Sequence, residues 1–377
     1  MSPLSRYGKL RASHGELRSG TGMVSGLIAL ALAVACFLGV LAFHFPQYLT
    51  TPELRKTYDP DVMRMVMYWA MVIGGGIAIF NAVFDRVRWV SLSALAIVLL
   101  TLALGGTTVQ VREFADHTPY IGLDWFVLDL LGSALVFISV EKAFGLRQEQ
   151  PVFREEWQTD LHHFVINHLV VGFILLATNL LVHRFFGWAA RDGLQAWVAN
   201  LPFPIALFLI ILIADLVQYW THRAYHEIPL LWRLHAIHHS AKHMDWLAGS
   251  RQHILELIIT RTLVLAPIFV LGFAKHVIDA YIIIVGFQAV FNHANVSVRL
   301  GPLRYLIVTP NFHHWHHSQD QEALDRNYSA HFAFLDYLFG TAVKSERMWP
   351  DRYGVLGDYV PNGYLRQLVF PFKRGKG

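Results

Sequence analysis

The sequence predicts an all-α protein, a polytopic membrane helical bundle with a histidine-rich helical cap on its cytoplasmic side. Three observations lead to this fold class. Of the 377 residues, 54% are hydrophobic and 15% are charged, and the mean hydropathy of +0.39 is typical of a membrane protein. Several apolar runs are long enough to cross a bilayer as helices. Histidines recur at helical spacing just beyond those runs.

The N-terminal part contains a polar arm and about four predicted membrane helices. Residues 1–22 are polar and basic, and we expect a cytoplasmic arm there. Apolar runs follow at 23–45, 65–84, 89–106 and 121–140. The first of these runs has no charged residue and no clear cleavage site, which argues against a signal peptide. Residues 23–150 are therefore predicted to form an N-terminal transmembrane unit.

Three consecutive glycines lie inside the second apolar run, at Gly74, Gly75 and Gly76. Small residues in a membrane helix allow a neighbouring helix to approach closely. We therefore interpret them as a helix-packing feature and not as a phosphate-binding loop.

The second half of the chain carries most of the histidines. Residues 164–182 and 203–220 predict a fifth and a sixth span, and 254–274 with 277–291 predict a helical hairpin. If the N-terminus is inside, six crossings and a hairpin leave the histidine clusters on the cytoplasmic side. We assign residues 151–345 to a metal-bearing domain and 346–377 to a C-terminal tail.

The composition excludes several kinds of site. Cys36 is the only cysteine, so a disulfide framework, a cysteine-based zinc ribbon and an iron–sulfur cluster are excluded. The formal net charge of +4 is spread over short loops, which fits anionic lipid headgroups better than nucleic acid. Any bound metal must therefore have nitrogen and oxygen ligands.

Five histidines lie close together in the sequence at the end of the sixth apolar run: His222, His226, His235, His238 and His239. Residues spaced i, i+3 and i+4 share one helix face, so the five form a pair and a triplet. In one continuous helix, residues 222 and 239 would be about 26 Å apart. Pro229 forbids that helix. We therefore predict a break that brings the pair and the triplet together.

The triplet spacing recurs further along the chain. Thr309 as the N-cap and Pro310 at the first helical position predict a helix start. His313, His316 and His317 then repeat the pattern H-x-x-H-H. His314 points away from this set, although a register that pairs His314 with His317 stays open.

Two further histidines complete the candidate ligand set. His293 returns from the hairpin on the same side as the boxes, and His253 lies at the mouth of that hairpin. Nine or ten imidazoles suit two metal ions with four or five ligands each, with positions left open for substrate or oxygen.

Acidic and amide side chains nearby predict partners that fix the imidazole tautomers. Asp215 lies two turns before His222 on the same face, and Glu256 follows His253 by three residues. Asn327 and Asp336 are further candidates. Capping of a turn is the alternative role for these side chains.

The region from Glu155 to Val343 resembles the fatty acid hydroxylase/sterol desaturase superfamily of integral membrane non-haem di-iron enzymes. The resemblance does not extend over residues 1–150. The motifs that carry it are H-R-A-Y-H (222–226), L-W-R-L-H-A-I-H-H-S (231–240), the segment 253–256, N-H-A-N (292–295), H-H-W-H-H-S (313–318), N-Y (327–328) and L-D-Y-L-F-G-T (335–341). The ligands that the resemblance implies for the two iron ions are His222, His226, His235, His238, His239, His293, His313, His316 and His317.

The resemblance also implies a reaction. O2 would be the co-substrate for hydroxylation or desaturation at an unactivated C–H bond of a lipid from the bilayer, such as a sterol or a fatty acyl chain. The chain has neither a G-x-G-x-x-G loop nor a haem-binding motif of the cytochrome b5 kind, so we expect an external electron donor. A reductase with a ferredoxin or a cytochrome b5-like carrier would fill that role.

A histidine-rich membrane metal-binding or transport protein without oxygenase activity is the alternative function. It would place its ligands near the middle of the bilayer on broken helices. A metalloprotease is disfavoured because the chain has no H-E-x-x-H motif.

Overall fold

The computed structural model of the protein describes residues 23–84, 88–111, 120, 122–298, 300–345 and 348–373. The predicted arm at residues 1–22 lies outside them. The described residues form α-helices, short 3₁₀ turns and loops, and they contain no β-strand. The expected all-α fold is therefore confirmed.

The chain divides into two compact units, and the first ends at Trp125. Its helices are α1 (Met23–His44), α2 (Pro46–Leu49), α3 (Pro52–Arg55), α4 (Pro60–Phe84), α5 (Trp89–Ala103) and the first residues of α6 (Leu123–Phe144). Helices α1, α4 and α5 pack on one another through small side chains that include Ala29, Ala78 and Ala94. Small residues at these contacts let the helix axes come close.

The predicted glycine packing feature is present at one of the three positions. A Cβ atom on Gly74 would lie 3.1 Å from Cβ of Leu32 and 3.4 Å from the carbonyl oxygen of Ala29 on α1. Cβ atoms on Gly75 and Gly76 would meet nothing within 4 Å. The close approach of α1 to α4 therefore depends on Gly74.

The second unit, Phe126–Gly377, contains the histidine-bearing helices. The division between the units falls inside α6. The remaining helices are α7 (Trp157–Leu169), α8 (Val171–Phe186), α9 (Asp192–Ala199), α10 (Phe203–Glu227), α11 (Pro229–His239), α12 (Ile254–Leu271), α13 (Lys275–His293), α14 (Pro310–His316), α15 (Phe334–Leu338) and α16 (Tyr364–Val369). The 3₁₀ turns of the two units are Gly106–Thr108, Gly187–Ala189, Ala248–Ser250, Gly301–Tyr305, Gln321–Ala323 and Phe370–Phe372.

The apolar core of the second unit lies between α10, α12 and α13. Ile210, Ala214, Ile268 and Val277 are almost fully buried there. Burial of apolar area is the main favourable term that holds such helices together outside the bilayer, and close packing holds them within it. Helix α10 supplies this core with its first three turns and then carries polar side chains towards its end.

Within the part of the chain that the structure describes, seven helical segments are long and apolar enough to cross a membrane: Ser25–His44, Pro60–Phe84, Trp89–Thr108, Leu123–Phe144, Gly172–Ala189, Phe203–Glu227 and Ile254–Leu271. The protein is therefore an integral, multi-pass membrane protein. One expectation needs correction, because the fifth span starts at Gly172 and not at residue 164. The helix breaks at Val170, and the preceding α7 buries polar side chains such as Asp160 and His163.

The C-terminal segment packs against the histidine-bearing part of the second unit. Gln367 is fully buried, and its Oε1 lies 2.8 Å from Nε2 of His163. The carbonyl oxygen of Leu368 lies 3.0 Å from Nε2 of His253. Residues 348–373 are therefore part of this unit.

The helix contact at Gly74 gives a paired test. Gly74→Val should destabilise the protein, because the side chain would overlap Leu32, and such overpacking costs about 1–3 kcal/mol. Gly76→Val makes the same change in helix propensity without a neighbour to displace. Thermal unfolding in detergent should show a lower midpoint for Gly74→Val only. Equal midpoints for the two variants would contradict the packing role.

Candidate metal centre

The break between α10 and α11 has the predicted position. Ile228 is the only residue between the two helices, with extended backbone angles, and Pro229 is the first residue of α11. This change of direction brings Nε2 of His222 to 2.9 Å from Nε2 of His235. The two histidine sets therefore meet because the helix cannot continue.

Helix α14 begins as the sequence predicts. The hydroxyl of Thr309 accepts a hydrogen bond from the backbone N–H of Phe312 at 3.3 Å, and Pro310 occupies the first helical position. This cap satisfies one of the otherwise unpaired N–H groups of the helix start. It fixes where the following histidines lie on the helix surface.

The structure brings nine of the ten predicted ligand histidines together in two groups. Within each group the ring nitrogens that face one another all lie within 4.8 Å. Eight of the nine residues are buried, and His226 is partly buried. The first group is His222, His226, His235, His239 and His316, and the second is His238, His293, His313 and His317.

Each H-x-x-H-H box divides its histidines between the groups. His235 and His239 join the first group, whereas His238 joins the second. The box on α14 is divided in the opposite sense, because its i and i+4 histidines join the second group and His316 joins the first. On a helix, i+4 lies about 40° from i on one side and i+3 lies about 60° on the other. Neither group can therefore form without both boxes.

Six of the nine rings have Nδ1 within hydrogen-bonding distance of an oxygen atom. Four of these oxygens are backbone carbonyls, which only accept, so Nδ1 carries the hydrogen and Nε2 keeps its lone pair. The six contacts are His222 with Tyr328 O (2.7 Å), His238 with Arg251 O (3.2 Å), His293 with Ala289 O (2.8 Å), His316 with Arg326 O (2.7 Å), His235 with Glu256 Oε1 (2.8 Å) and His226 with Asp325 Oδ1 (3.1 Å).

The inward-facing nitrogens form a site that fits cations. Nε2 of His238 and Nε2 of His293 lie 3.2 Å apart, and both are lone-pair acceptors because both Nδ1 atoms donate to carbonyls. Two acceptors at that distance repel unless a positive ion lies beside them. Among the described residues, Nε2 of His226 and Nε2 of His316 are buried without a hydrogen-bond partner. Imidazole nitrogens suit iron, zinc and copper, so the residues fit a transition-metal centre.

Burial keeps these imidazoles neutral. It lowers the pKa of His235, His238, His239, His313, His316 and His317 well below the ordinary 6.5, and neighbouring imidazoles lower it further. Burial likewise lowers the pKa of His293 to about 4. A neutral imidazole is the form that binds metal, so ligand nitrogens at pH 7 have no proton to lose.

Glu256 contacts a ligand ring as expected. Its Oε1 lies 2.8 Å from Nδ1 of His235, and both side chains are buried. This contact orients the His235 ring and raises its basicity as a ligand.

The expectation that Asp215 orients an imidazole is corrected by the structure. Its carboxylate is fully buried and accepts hydrogen bonds from the backbone N–H groups of Ala330, His331 and Phe332 at 2.6–3.1 Å. Asp215 shares a face with His222, but two helical turns separate the residues by about 10 Å. The side chain therefore reaches the neighbouring loop and not the ring.

Asn327 and Asp336 also contact none of the nine rings. Asp336 accepts from the backbone N–H groups of Tyr328 and Ser329, both at 2.8 Å. Asn327 donates to the carbonyl of Phe312 at 2.8 Å and accepts from the N–H of Val343 at 2.7 Å. Both residues therefore have the alternative role, the capping of turns.

His253 and His314 lie outside the two groups. Nδ1 of His253 accepts from the N–H of Leu255 and caps helix α12, while its Nε2 contacts Leu368 O. Ligation by His253 is therefore not supported. Nδ1 of His314 lies 2.8 Å from the hydroxyl of Tyr353, and its Nε2 lies 3.1 Å from the carbonyl oxygen of Ala294. The register that pairs His314 with His317 is therefore not found.

Sequence reasoning missed Asp325 and a buried network of charges. Asp325 follows no recognisable pattern, because it is an exposed acid in a loop. Arg251 is fully buried; it pairs with Asp160 and Glu156, and its own carbonyl accepts from His238. Arg154 bridges Asp160 to Asp245. A buried arginine requires such partners, but the sequence does not indicate which acids supply them.

The part of the chain that carries the two histidine groups matches a known protein family. A family model described as fatty acid hydroxylase matches residues 207–341, which contain all nine histidines of the two groups. Residues 207–341 belong to the fatty acid hydroxylase family. The expected superfamily is confirmed for this fatty acid hydroxylase domain.

Curated relatives carry related names. The chain is 32% identical over 178 residues to ornithine lipid hydroxylase OlsE of Rhizobium tropici, an alignment that covers 47% of the chain and 54% of the relative. It is 30% identical over 147 residues to alkylglycerol monooxygenase of Homo sapiens, covering 38% of the chain and 32% of the relative. It is also 30% identical over 142 residues to very-long-chain aldehyde decarbonylase GL1-4 of Oryza sativa subsp. indica, covering 35% and 22%.

The chain therefore spans about half the length of the first of these relatives and less of the others. No solved structure matches the chain.

The metal-free protein should lose stability in mild acid. The unfolded histidines have an ordinary pKa of 6.5, and the folded ones have a lowered pKa, so the unfolded chain binds more protons between the two values. The stability is complete above about pH 6.5 and falls as the pH drops towards the folded pKa. Thermal unfolding of metal-free protein from about pH 8 to 5 measures this. A midpoint that stays constant below pH 6.5 would contradict buried neutral imidazoles.

Proposed function

We propose that the protein is an O2-dependent membrane oxygenase that hydroxylates or desaturates an unactivated C–H bond of a lipid. The observation that carries the proposal is the convergence of nine imidazoles in groups of five and four, with lone pairs directed inwards. The names of the relatives, a lipid hydroxylase and an alkylglycerol monooxygenase, support this reaction type.

Two iron ions are the proposed cofactor, one held by each histidine group. Iron bound by neutral imidazoles and exposed to O2 supplies an oxidant strong enough for an aliphatic C–H bond, which amino-acid side chains do not supply. The residues of the chain hold and orient the ligand rings. Glu256 and the carbonyls of Tyr328, Arg326, Arg251 and Ala289 fix the Nδ1 hydrogens, so that every ring so held presents Nε2.

A membrane lipid is the proposed substrate. His222 and His226 follow the apolar part of α10, and Glu256 lies in the first turn of α12. The C-terminal end of α10 and the N-terminal end of α12 therefore both meet the histidine groups. A lipid in the same leaflet would reach that depth without leaving the bilayer. We place this end on the cytoplasmic side and propose that an external carrier, a ferredoxin or a cytochrome b5-like protein with its reductase, delivers the electrons.

The transport alternative fits these positions less well. A transporter would hold its metal near the middle of the bilayer, between halves of broken helices. The histidines instead lie at the C-terminal ends of the long helices α10 and α13 and on or next to the short helices α11 and α14. Eight of the nine are also buried, as is typical of the ligands of a resident cofactor.

Removal of one ligand from each group tests the metal centre. His238→Ala and His316→Ala should each lower the iron content below the wild-type value of about two ions and abolish turnover, because a lost ligand weakens both binding and orientation. His276→Ala is the control, since His276 is exposed and lies against Phe203 outside the groups. Iron measured by mass spectrometry and lipid turnover are the readouts. Normal turnover in iron-free protein would end the proposal.

The lipids of a deletion strain test the reaction. Mass spectrometry should show that the strain lacks lipid species that carry one additional oxygen atom, or two fewer hydrogen atoms, than species that accumulate. Expression of the wild-type chain should restore them, and expression of His316→Ala should not. Growth in labelled O2 separates the two reactions, because only hydroxylation places the labelled oxygen in the lipid. Unchanged lipids in the deletion strain would contradict a lipid substrate.

A further inference from the structure

We propose that residues 325–332, called the 325–332 segment below, orient three rings of the first histidine group and contact no ring of the second. The two metal positions would then have separate supports. This inference rests on the proposed function only in treating both groups as metal sites. It assigns a positioning role to a loop that lies outside the histidine motifs.

The segment contacts three of the five rings in the first group. The carbonyl of Tyr328 accepts from Nδ1 of His222 at 2.7 Å, and the carbonyl of Arg326 accepts from Nδ1 of His316 at 2.7 Å. The carboxylate of Asp325 lies 3.1 Å from Nδ1 of His226. These three rings come from two helices, α10 and α14, so the segment also sets their relative orientation.

The second group is held by other parts of the chain. Nδ1 of His238 donates to the carbonyl of Arg251, and Nδ1 of His293 donates to the carbonyl of Ala289 in its own helix. Within the described residues, no ring of the second group has a hydrogen bond to the 325–332 segment. A substitution that removes one of these ring contacts and nothing else should therefore affect only the first group.

Two buried carboxylates make the segment rigid. Asp336 accepts from the N–H groups of residues 328 and 329, and Asp215 accepts from those of residues 330, 331 and 332. Both carboxylates are fully buried. Hydrogen bonds to a charged acceptor are about twice as strong as neutral ones. Five consecutive N–H groups are thus fixed, which fixes the carbonyl of Tyr328 towards His222.

Asp325 offers a substitution that changes one contact and little else. Its side chain is 66% exposed, and its backbone has φ +54°, a conformation that glycine and asparagine adopt readily. Asp325→Gly therefore removes the oxygen that faces His226 without straining the loop. Asp325→Asn retains an oxygen acceptor and should behave like the wild type.

Gly249 offers the matched change for the second group. A Cβ atom there would lie 2.8 Å from Nδ1 and 3.1 Å from Cγ of His293. Gly249→Ala should therefore displace the His293 ring without touching a ring of the first group.

The test is a titration of the metal-free, full-length chain in detergent with Co(II), followed by visible absorption, and with Fe(II) under anaerobic conditions. Two backgrounds isolate the groups, since His293→Ala impairs the second and His222→Ala impairs the first. Asp325→Gly should weaken metal binding by about 10- to 100-fold in the His293→Ala background and leave it unchanged in the His222→Ala background. Asp325→Asn should restore the affinity. Gly249→Ala should show the opposite dependence on background.

The otherwise unaltered chain provides a second measurement that does not rely on ligand variants. There, Asp325→Gly should weaken the binding of one of two equivalents of Co(II) and leave the absorption spectrum of the other bound equivalent unchanged. Equal weakening of both equivalents, or of neither, would overturn the inference. A wild-type chain that binds no metal would instead contradict the proposed function, so the two failures are distinguishable.

Discussion

The structure depends on holding nine neutral imidazoles with several Nε2 lone pairs facing one another in a buried region. Burial prevents protonation from relieving this repulsion, as the lowered pKa of His235 and its neighbours shows. Outward hydrogen bonds from Nδ1, as in His238 and His293, prevent the rings from turning away. A cation is the partner that satisfies both constraints. Metal binding would therefore contribute to folding of this unit as well as to the proposed chemistry.

Each H-x-x-H-H box supplies histidines to both groups, so a movement of the helix that carries it affects both. His238 is on the same helical turn as His235 and His239 but belongs to the other group, and His316 has the corresponding position on α14. A rotation of α11 or α14 would improve one group only by damaging the other. The rotation of each short helix is thus restrained by histidines that belong to both groups.

The sequence predicted the parts of this arrangement that depend on helix periodicity. The break at Pro229, the start at Thr309 and the grouping of His222, His293 and the two boxes all follow from spacing and backbone sterics. The partners of the rings were harder to predict. Four of six Nδ1 hydrogens meet backbone carbonyls, which every residue possesses and no sequence pattern marks. His253 had the position expected of a ligand, but its ring instead caps α12 and reaches the C-terminal segment.

Asp215 shows why a carboxylate is found in an otherwise apolar spanning helix. An unpaired charge there would be costly, but three backbone N–H groups of the 325–332 segment surround this one. The same helix carries His222 and His226 two and three turns further on. Helix α10 therefore holds two ligands and also holds the loop that orients them. Because both functions belong to one helix, a shift of α10 would move His222, His226 and the loop that contacts them together.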